Sequence, residues 1–305
     1  MSENMKKAGF ATIIGRPNVG KSTIMNRMIG QKIAITSYKP QTTRTQIRTI
    51  FTDERGQIVF LDTPGIQEQK NRLGEYMLKA AASTVKEVDV VIWLVEPREK
   101  LSGEDQAVLG LLETVKKPVI LVINKIDTVK KEQVLPVIAA YQDKRAFHAI
   151  IPVSARTGAG VDDLMKSIFE LLPEGEPFYD EDQVTTETER DIASEIIREK
   201  ALRLLQDEVP HGIAVTIESF KYRKSRSGPI CDIEASIICE KDSHKGIIIG
   251  KGGQMIQKIG TAARTDIENM LQNKVNLKLF VKVRRDWKDN DTQMKNFGYD
   301  VRKFK

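Results

Sequence analysis

The sequence is poor in the residues that build metal sites and covalent staples. It has two cysteines, Cys231 and Cys239, and three histidines, His148, His211 and His244. Two cysteines close together in one strand-rich stretch, with no second pair, make neither a zinc site nor a disulfide framework. They read as buried, reduced thiols. The scattered histidines show no metal-ligand spacing. Long apolar runs are also missing: stretches such as Val88–Val95 and Val119–Ile123 fall far short of the roughly 20 residues that cross a bilayer. Residues 1–7 carry no hydrophobic signal segment. The expectation is a protein that stays in the cytoplasm where it is made.

What remains is a chain of 305 residues, 40% hydrophobic and 30% charged, with a net charge of +6. Length and composition imply two domains, each able to bury a core. The charge is unevenly spread. Residues 1–172 hold 25 Lys+Arg against 19 Asp+Glu, residues 173–186 hold none against five, and residues 187–305 hold 23 against 18. Excess basic charge is compatible with nucleic acid, a membrane surface or solubility, and does not choose among them.

Residues 8–172 alternate apolar runs with helical patterns. Phe10–Ile14, Ile58–Leu61, Val88–Val95, Val119–Ile123 and Ile150–Val153 read as buried parallel strands. Helices are expected from Lys21, and over Leu73–Lys86, Gly103–Val115, Val129–Gln142 and Val161–Leu172, with Gln46–Phe51 as an antiparallel edge strand. This is the signature of a doubly wound α/β domain. Residues 173–186, with two prolines, a glycine and five acids, read as a linker. The pattern then becomes helix (Glu187–Leu205), two hairpin strands (Ile213–Tyr222 and Ile230–Cys239), two helices broken at Gly250–Gly253, and a strand (Val275–Val283). That order describes a smaller α+β module over 187–305.

The strongest motif is Gly15-Arg16-Pro17-Asn18-Val19-Gly20-Lys21-Ser22, followed by Thr23. It fits GxxxxGK[ST] in full and lies between a predicted strand and a predicted helix, the context the motif requires. Glycines let backbone N–H groups close around phosphate oxygens, and the helix N-terminus adds its positive end. Lys21 is expected to bridge the outer phosphates and the Ser22 hydroxyl to hold Mg²⁺. Asp62-Thr63-Pro64-Gly65 follows the third strand. Asp62 can reach Mg²⁺ through water, and the Gly65 N–H can meet a γ-phosphate. Asn124-Lys125-Ile126-Asp127 follows a buried strand. The Asp127 carboxylate can accept from guanine N1–H and its exocyclic amine, a pairing adenine does not offer. Lys125 can lie along the base while Asn124 ties the loop together. Ser154-Ala155 is expected to offer a backbone N–H to the guanine oxygen.

In this order the motifs resemble those of translation-factor-class GTPases. The Pro17-Asn18 pair is similar to the subgroup holding the Era family, the double-domain ribosome-assembly GTPases and the tRNA-modifying GTPases. That resemblance implies GTP or GDP and Mg²⁺ as ligands. It also implies a magnesium and γ-phosphate threonine in the loop Gln41–Arg44, at Thr43 or, as the alternative, Thr42. Relatives with asparagine at the position of Asn18 use K⁺ beside the phosphates, so the resemblance implies K⁺ there too. One departure stands out. Ras-like enzymes place a glutamine right after DxxG to orient the attacking water, and this chain has Ile66. An isoleucine cannot hydrogen-bond, so the water-positioning group is not identified by sequence.

In the second module, Ile247–Ile259 contains Gly250-Lys251-Gly252-Gly253 between an apolar helix and an amphipathic one. This is similar to a type II KH domain, whose GxxG loop lies against the nucleic-acid backbone. Glycines permit close approach and Lys251 adds a cation. Ile247, Ile248, Ile256 and Ile259 read as core. Lys274–Lys288, with six basic residues and one acid, reads as a basic surface suited to single-stranded RNA. The tail from Trp287 is expected to pack on this module.

A GTPase domain joined by a short linker to a type II KH domain is the architecture of the Era family. The resemblance implies binding near the 3′ end of small-subunit ribosomal RNA during 30S assembly, and peripheral association with the inner face of the cell membrane. Two other classes compete: a tRNA-modification GTPase, and an RNA-binding adaptor with a vestigial nucleotide site. The first carries a terminal cysteine and a long inserted helical domain, both missing here. Intact Lys21, Ser22, Asp62 and Asp127 argue against the second.

Overall fold

A computed structural model of the chain describes residues 6–31, 47–65, 71–206, 209–226 and 228–300. The first half is a six-stranded sheet in the order β2-β3-β1-β4-β5-β6. Its strands are β1 (Lys7–Ile14), β2 (Ile47–Asp53), β3 (Gly56–Asp62), β4 (Val90–Val95), β5 (Val119–Ile123) and β6 (Ala149–Pro152). All neighbours pair in parallel except β2 with β3. β3, β4 and β5 are buried along their whole length. The unbroken apolar runs of β4 and β5, and Ile58–Leu61 within β3, reflect a sheet covered on both faces.

Helices α1 (Lys21–Ile29) and α5 (Val161–Leu171) cover one face, where Ile24, Met25, Leu164 and Ile168 meet Ala11, Ile13, Phe60 and Ile92. Helices α2 (Arg72–Glu87), α3 (Gly103–Glu113) and α4 (Val134–Gln142) cover the other, around Trp93. The doubly wound reading is met. Of these five helices, α2 and α3 start with side-chain caps: Asn71 accepts from the Gly74 N–H at 2.9 Å, and Ser102 forms a capping box with Asp105.

Helix α4 differs from the expected Val129–Gln142. Residues 126–128 and 131–133 form 3₁₀ turns, and the helix begins at Val134. Pro136 has no N–H to donate, so it fits in a first turn but not in the interior of a helix begun at Val129.

Residues 173–186 do not hang free between the halves. The Ala8 N–H donates to the Pro173 carbonyl at 3.1 Å, the Gly175 N–H to Lys6 at 3.0 Å, and the Ile50 N–H to Val184 at 2.9 Å. The Gln57 side chain accepts from the Phe178 and Tyr179 N–H groups, and Phe178 packs on Phe10 with ring centroids 4.9 Å apart. The stretch is a strap held in turn by β1, β3 and β2.

The second half packs α6 (Glu189–Leu204), α7 (Asp242–Ile249) and α8 (Gln254–Leu271) on a three-stranded sheet, β7 (Ala214–Arg223), β8 (Ile230–Cys239) and β9 (Lys274–Val283). The order is β7-β8-β9, antiparallel then parallel. Cys231 and Cys239 are free and buried in β8. The tail packs on this module through Trp287, which is fully buried and donates to the Gly212 carbonyl at 2.9 Å. It reaches further than expected. Trp287, Tyr299 and Met294 of the short helix α9 (Asp291–Asn296) share one apolar cluster with Leu73, Tyr76 and Met77 of α2. The tail therefore sits between the two cores.

Candidate functional site

The carboxyl ends of β1, β3, β5 and β6 converge on one rim of the first sheet, where open α/β folds bind ligands. The loop after β1 runs from Gly15 to Gly20 and delivers the chain into α1 at Lys21. Gly20 caps that helix with φ 103°, and a Cβ there would lie 2.3 Å from Asn124 Nδ2. At Gly15 a Cβ would lie 2.4 Å from the Leu94 carbonyl. Both glycines are required by close approach. Asn18 takes φ 65°, its side chain exposed, while Val19 is buried beneath the loop. Ser22 lies in the first turn of α1, and Thr23 beside it is exposed.

Lys21 folds back over this loop and donates to the Gly15 and Arg16 carbonyls at 3.1 and 3.0 Å. Burial lowers its pKa to about 8, partly opposed by the charge of Asp62 and assisted by that of Arg16. Asp62 is fully buried at the end of β3, and Gly65 follows close by, with a Cβ position 3.1 Å from Lys21 Nζ. A triphosphate needs the ammonium form, which the free chain loses as pH rises through about 8. Apparent GTP affinity is therefore expected to fall between pH 8 and pH 9.5, approaching about tenfold per pH unit. Titration calorimetry across that range checks this, and a flat affinity contradicts it.

Asn124 joins three motifs that are remote in sequence. Its Nδ2 donates to the Val19 carbonyl at 2.7 Å, and its Oδ1 accepts from the Ala155 N–H at 3.0 Å. Lys125, at φ 63°, donates through Nζ to the Asn18 carbonyl at 2.7 Å. Asp127 accepts from Ser154 Oγ at 2.6 Å and pairs with Arg156 at 2.8 Å. The Ser154 hydrogen bond, joined by the Arg156 charge, holds its carboxyl below the usual range.

The Ser154-Ala155 pair differs from expectation in one respect. The Ser154 N–H donates to the Ala159 carbonyl and the Ala155 N–H to Asn124, so both have acceptors inside the chain. What the pair does here is lock the Asn124–Asp127 loop, because the Asn124 amide oxygen takes its donor from Ala155 while the amide nitrogen donates to Val19. Thr43, its alternative Thr42, and Ile66 lie outside the described residues.

Three further residues belong to the site and escaped the motif reading. Arg27, in the last turn of α1, donates to the Ala155 carbonyl at 3.1 Å and also to Arg156. Arg156 sits against Asp127. Glu96, just past β4, pairs with Arg16 and Lys125. Glu96 alone had a sequence signal, since it ends a strand that must lie near the phosphate-loop strand.

In the second half, a 3₁₀ turn at Lys251–Gly253 joins α7 to α8. Gly250, Gly252 and Gly253 have φ 74°, 58° and 79°. A Cβ at Gly250 would lie 2.7 Å from Met255, whereas Gly252 and Gly253 face open space and Lys251 is exposed. Ile248 and Ile259 are fully buried, but Ile247 is 49% exposed and Ile256 half-buried. Ile247 is not core: its position in α7 turns it outward beside the GxxG turn, an apolar surface on which a base can rest. The basic stretch Lys274–Lys288 is also less basic than its composition. Lys278, Lys282, Arg285 and Lys288 pair with Glu234, Glu218, Asp242 and Glu240, acids contributed by β7, β8 and α7 or their ends.

Residues 10–125 match the family model of 50S ribosome-binding GTPases, and residues 208–288 match the KH domain model. The chain is 50% identical to the GTPase Era of Alkaliphilus metalliredigens, over 96% of this chain and 99% of that protein. It is 51% identical to the GTPase Era of Lacticaseibacillus paracasei, over 99% of each. Among solved structures it is similar to Era in complex with MgGDPNP and nucleotides 1506–1542 of 16S ribosomal RNA. The TM-score is 0.92 and the identity 40%, over 97% of this chain and 99% of that one. An Aquifex aeolicus Era variant bound to GDP and tetrafluoroaluminate gives the same TM-score and identity, over 96% and 99%.

Proposed function

This chain belongs to the Era family of GTPases, and on that premise we propose that it hydrolyses GTP and binds small-subunit ribosomal RNA near its 3′ end, in 30S subunit assembly. Residues 1–172 form the GTP-binding domain in this reading, 173–186 the connection, and 187–305 the RNA-binding module with its tail. The observation that carries the nucleotide half is the Asn124 side chain. It hydrogen-bonds Val19 of the phosphate loop and Ala155 of the last loop, bringing GxxxxGKS, NKxD and Ser-Ala into one cradle. The RNA half rests on an exposed GxxG turn that carries Lys251 and follows the exposed Ile247.

In this cradle Gly15–Thr23 hold the phosphates, with Lys21 on the outer ones. Asp127 reads guanine, exchanging its partner Arg156 for the base. Asn124, Lys125, Ser154 and Ala155 hold the base loop. Gly65 senses the γ-phosphate. Ser22, Thr43 and Asp62 would hold Mg²⁺, whose preference is for hard oxygen donors. Asp62 fits that role, being a buried carboxylate whose charge acts on Lys21. When bound, the ion would supply positive charge to neutralise the phosphate oxygens.

Asn18 is the residue proposed for K⁺, since its side chain is exposed at the phosphate edge of the loop. Single-turnover GTP hydrolysis is expected to be faster in KCl than in matched NaCl, and Asn18→Ala should erase the difference. Equal rates of the parent in both salts would remove the potassium role. No described helix is long and apolar enough to cross a membrane. A cytoplasmic protein touching the inner membrane face peripherally is part of the same reading, and vesicle flotation tests it.

A further inference from the structure

Glu96 is the first residue after β4, and β4 lies between β1 and β5 in the sheet. The loops leaving β1 and β5 are the phosphate loop and the guanine loop. A side chain at the carboxyl end of the strand between them can reach both. Glu96 does so. One carboxylate oxygen accepts from Arg16 of the phosphate loop and the other from Lys125 of the guanine loop. Lys125 also donates to the Asn18 carbonyl, so the linkage returns to the phosphate loop. Arg98 approaches from the solvent side at 3.3 Å. Behind Arg16, the buried carboxylate of Asp105 stands 3.8 Å from Nε.

This is not a rim ion pair of negligible worth. The Glu96 side chain is 12% exposed and that of Arg16 17%, so solvent screens them less than an open pair. Burial pushes the Glu96 carboxyl up, but the Lys125 hydrogen bond and charge, with Arg16 and Arg98, outweigh it and hold the pKa below the usual range. The group is ionised at neutral pH. Both loops also carry a non-glycine residue in the left-handed region, Asn18 at φ 65° and Lys125 at φ 63°. Such conformations persist where surrounding contacts hold them.

We propose that Glu96 is a positioning residue for guanine nucleotide: its carboxylate fixes the phosphate loop and the guanine loop at the spacing that lets one nucleotide engage both. The inference rests on the nucleotide site proposed above. Glu96 acts through Arg16 and Lys125, so its loss should weaken nucleotide retention and leave the chemical step alone.

The test uses the full chain with Mg²⁺ and compares Glu96→Gln, which removes the charge at constant shape, with Glu96→Asp, which keeps the charge on a shorter stem. In Glu96→Gln, the KM for GTP and the dissociation rate of a fluorescent GDP should each rise about tenfold, the scale of one weakened charge-assisted hydrogen bond. The kcat should stay within about twofold, and Glu96→Asp should recover part of the loss. Where Glu96→Gln does not fold, Glu96→Asp is measured alone and should show a smaller rise in KM and GDP dissociation rate with kcat kept. A parent chain that fails to bind GTP would defeat the proposed function itself. A parent that binds GTP, beside a variant with unchanged KM and dissociation rate or with kcat lost at unchanged KM, overturns this inference alone.

Discussion

Asp127→Asn should lower affinity for GTP by roughly three orders of magnitude, because two charge-assisted hydrogen bonds to guanine, at about 1.5–3 kcal/mol each, are lost or reversed. The carboxylate is prepared for that role. Ser154 Oγ fixes one oxygen at 2.6 Å, and the other is held by Arg156, whose side chain is 77% exposed and so readily displaced. An asparagine keeps the shape and the Ser154 contact but presents an amine where the guanine amine must donate. Xanthine carries an oxygen at that position, so the variant should bind xanthosine nucleotides in preference to guanosine ones. Competition of a labelled GDP by GTP, XTP and ATP measures this. Unchanged preference for GTP in the variant would move base recognition away from Asp127.

The second large effect is expected in the other half of the chain. Lys251→Asp combined with Gly252→Asp should weaken binding to a single-stranded small-subunit 3′ segment by about a hundredfold at low salt, since one cation is lost and two anions face phosphate. The salt dependence of the residual binding should flatten. The change is safe for the fold. Gly252 faces open space at φ 58°, a conformation aspartate tolerates better than most residues. Gly250 offers no such freedom, because a Cβ there would lie 2.7 Å from Met255. GTP affinity should stay within about twofold, as the substituted residues lie between α7 and α8 of the second half and the nucleotide cradle is built from the loops of the first sheet. RNA binding that survives the substitution, measured by fluorescence anisotropy, would remove the turn from the interface.

Much of this was legible in the residues, for identifiable reasons. Apolar runs such as Val119–Ile123 leave little choice but a buried parallel strand, and GxxxxGKS between strand and helix has few other uses. Legibility failed where one side chain answers to a distant partner. The exposure of Ile247 depends on which face of α7 meets the sheet, and a run of three isoleucines carries no period to decide that. The pairing of Lys278 and Lys282 depends on β9 lying parallel beside β8, some forty residues away in sequence, with the acids of β7 and β8 within reach. Glu96 and Arg27 belong to no motif and are found only when the sheet order is known. The late start of α4 is legible in the sequence, since Pro136 forbids an earlier one.

The most direct test of the account is to crosslink the chain to RNA in cells and sequence the attached fragments, for the parent and for the double-acid GxxG variant. The account predicts parent crosslinks concentrated at the 3′ end of small-subunit ribosomal RNA and lost in the variant. Crosslinks concentrated on transfer RNA, or a small-subunit signal that the variant retains in full, would contradict it.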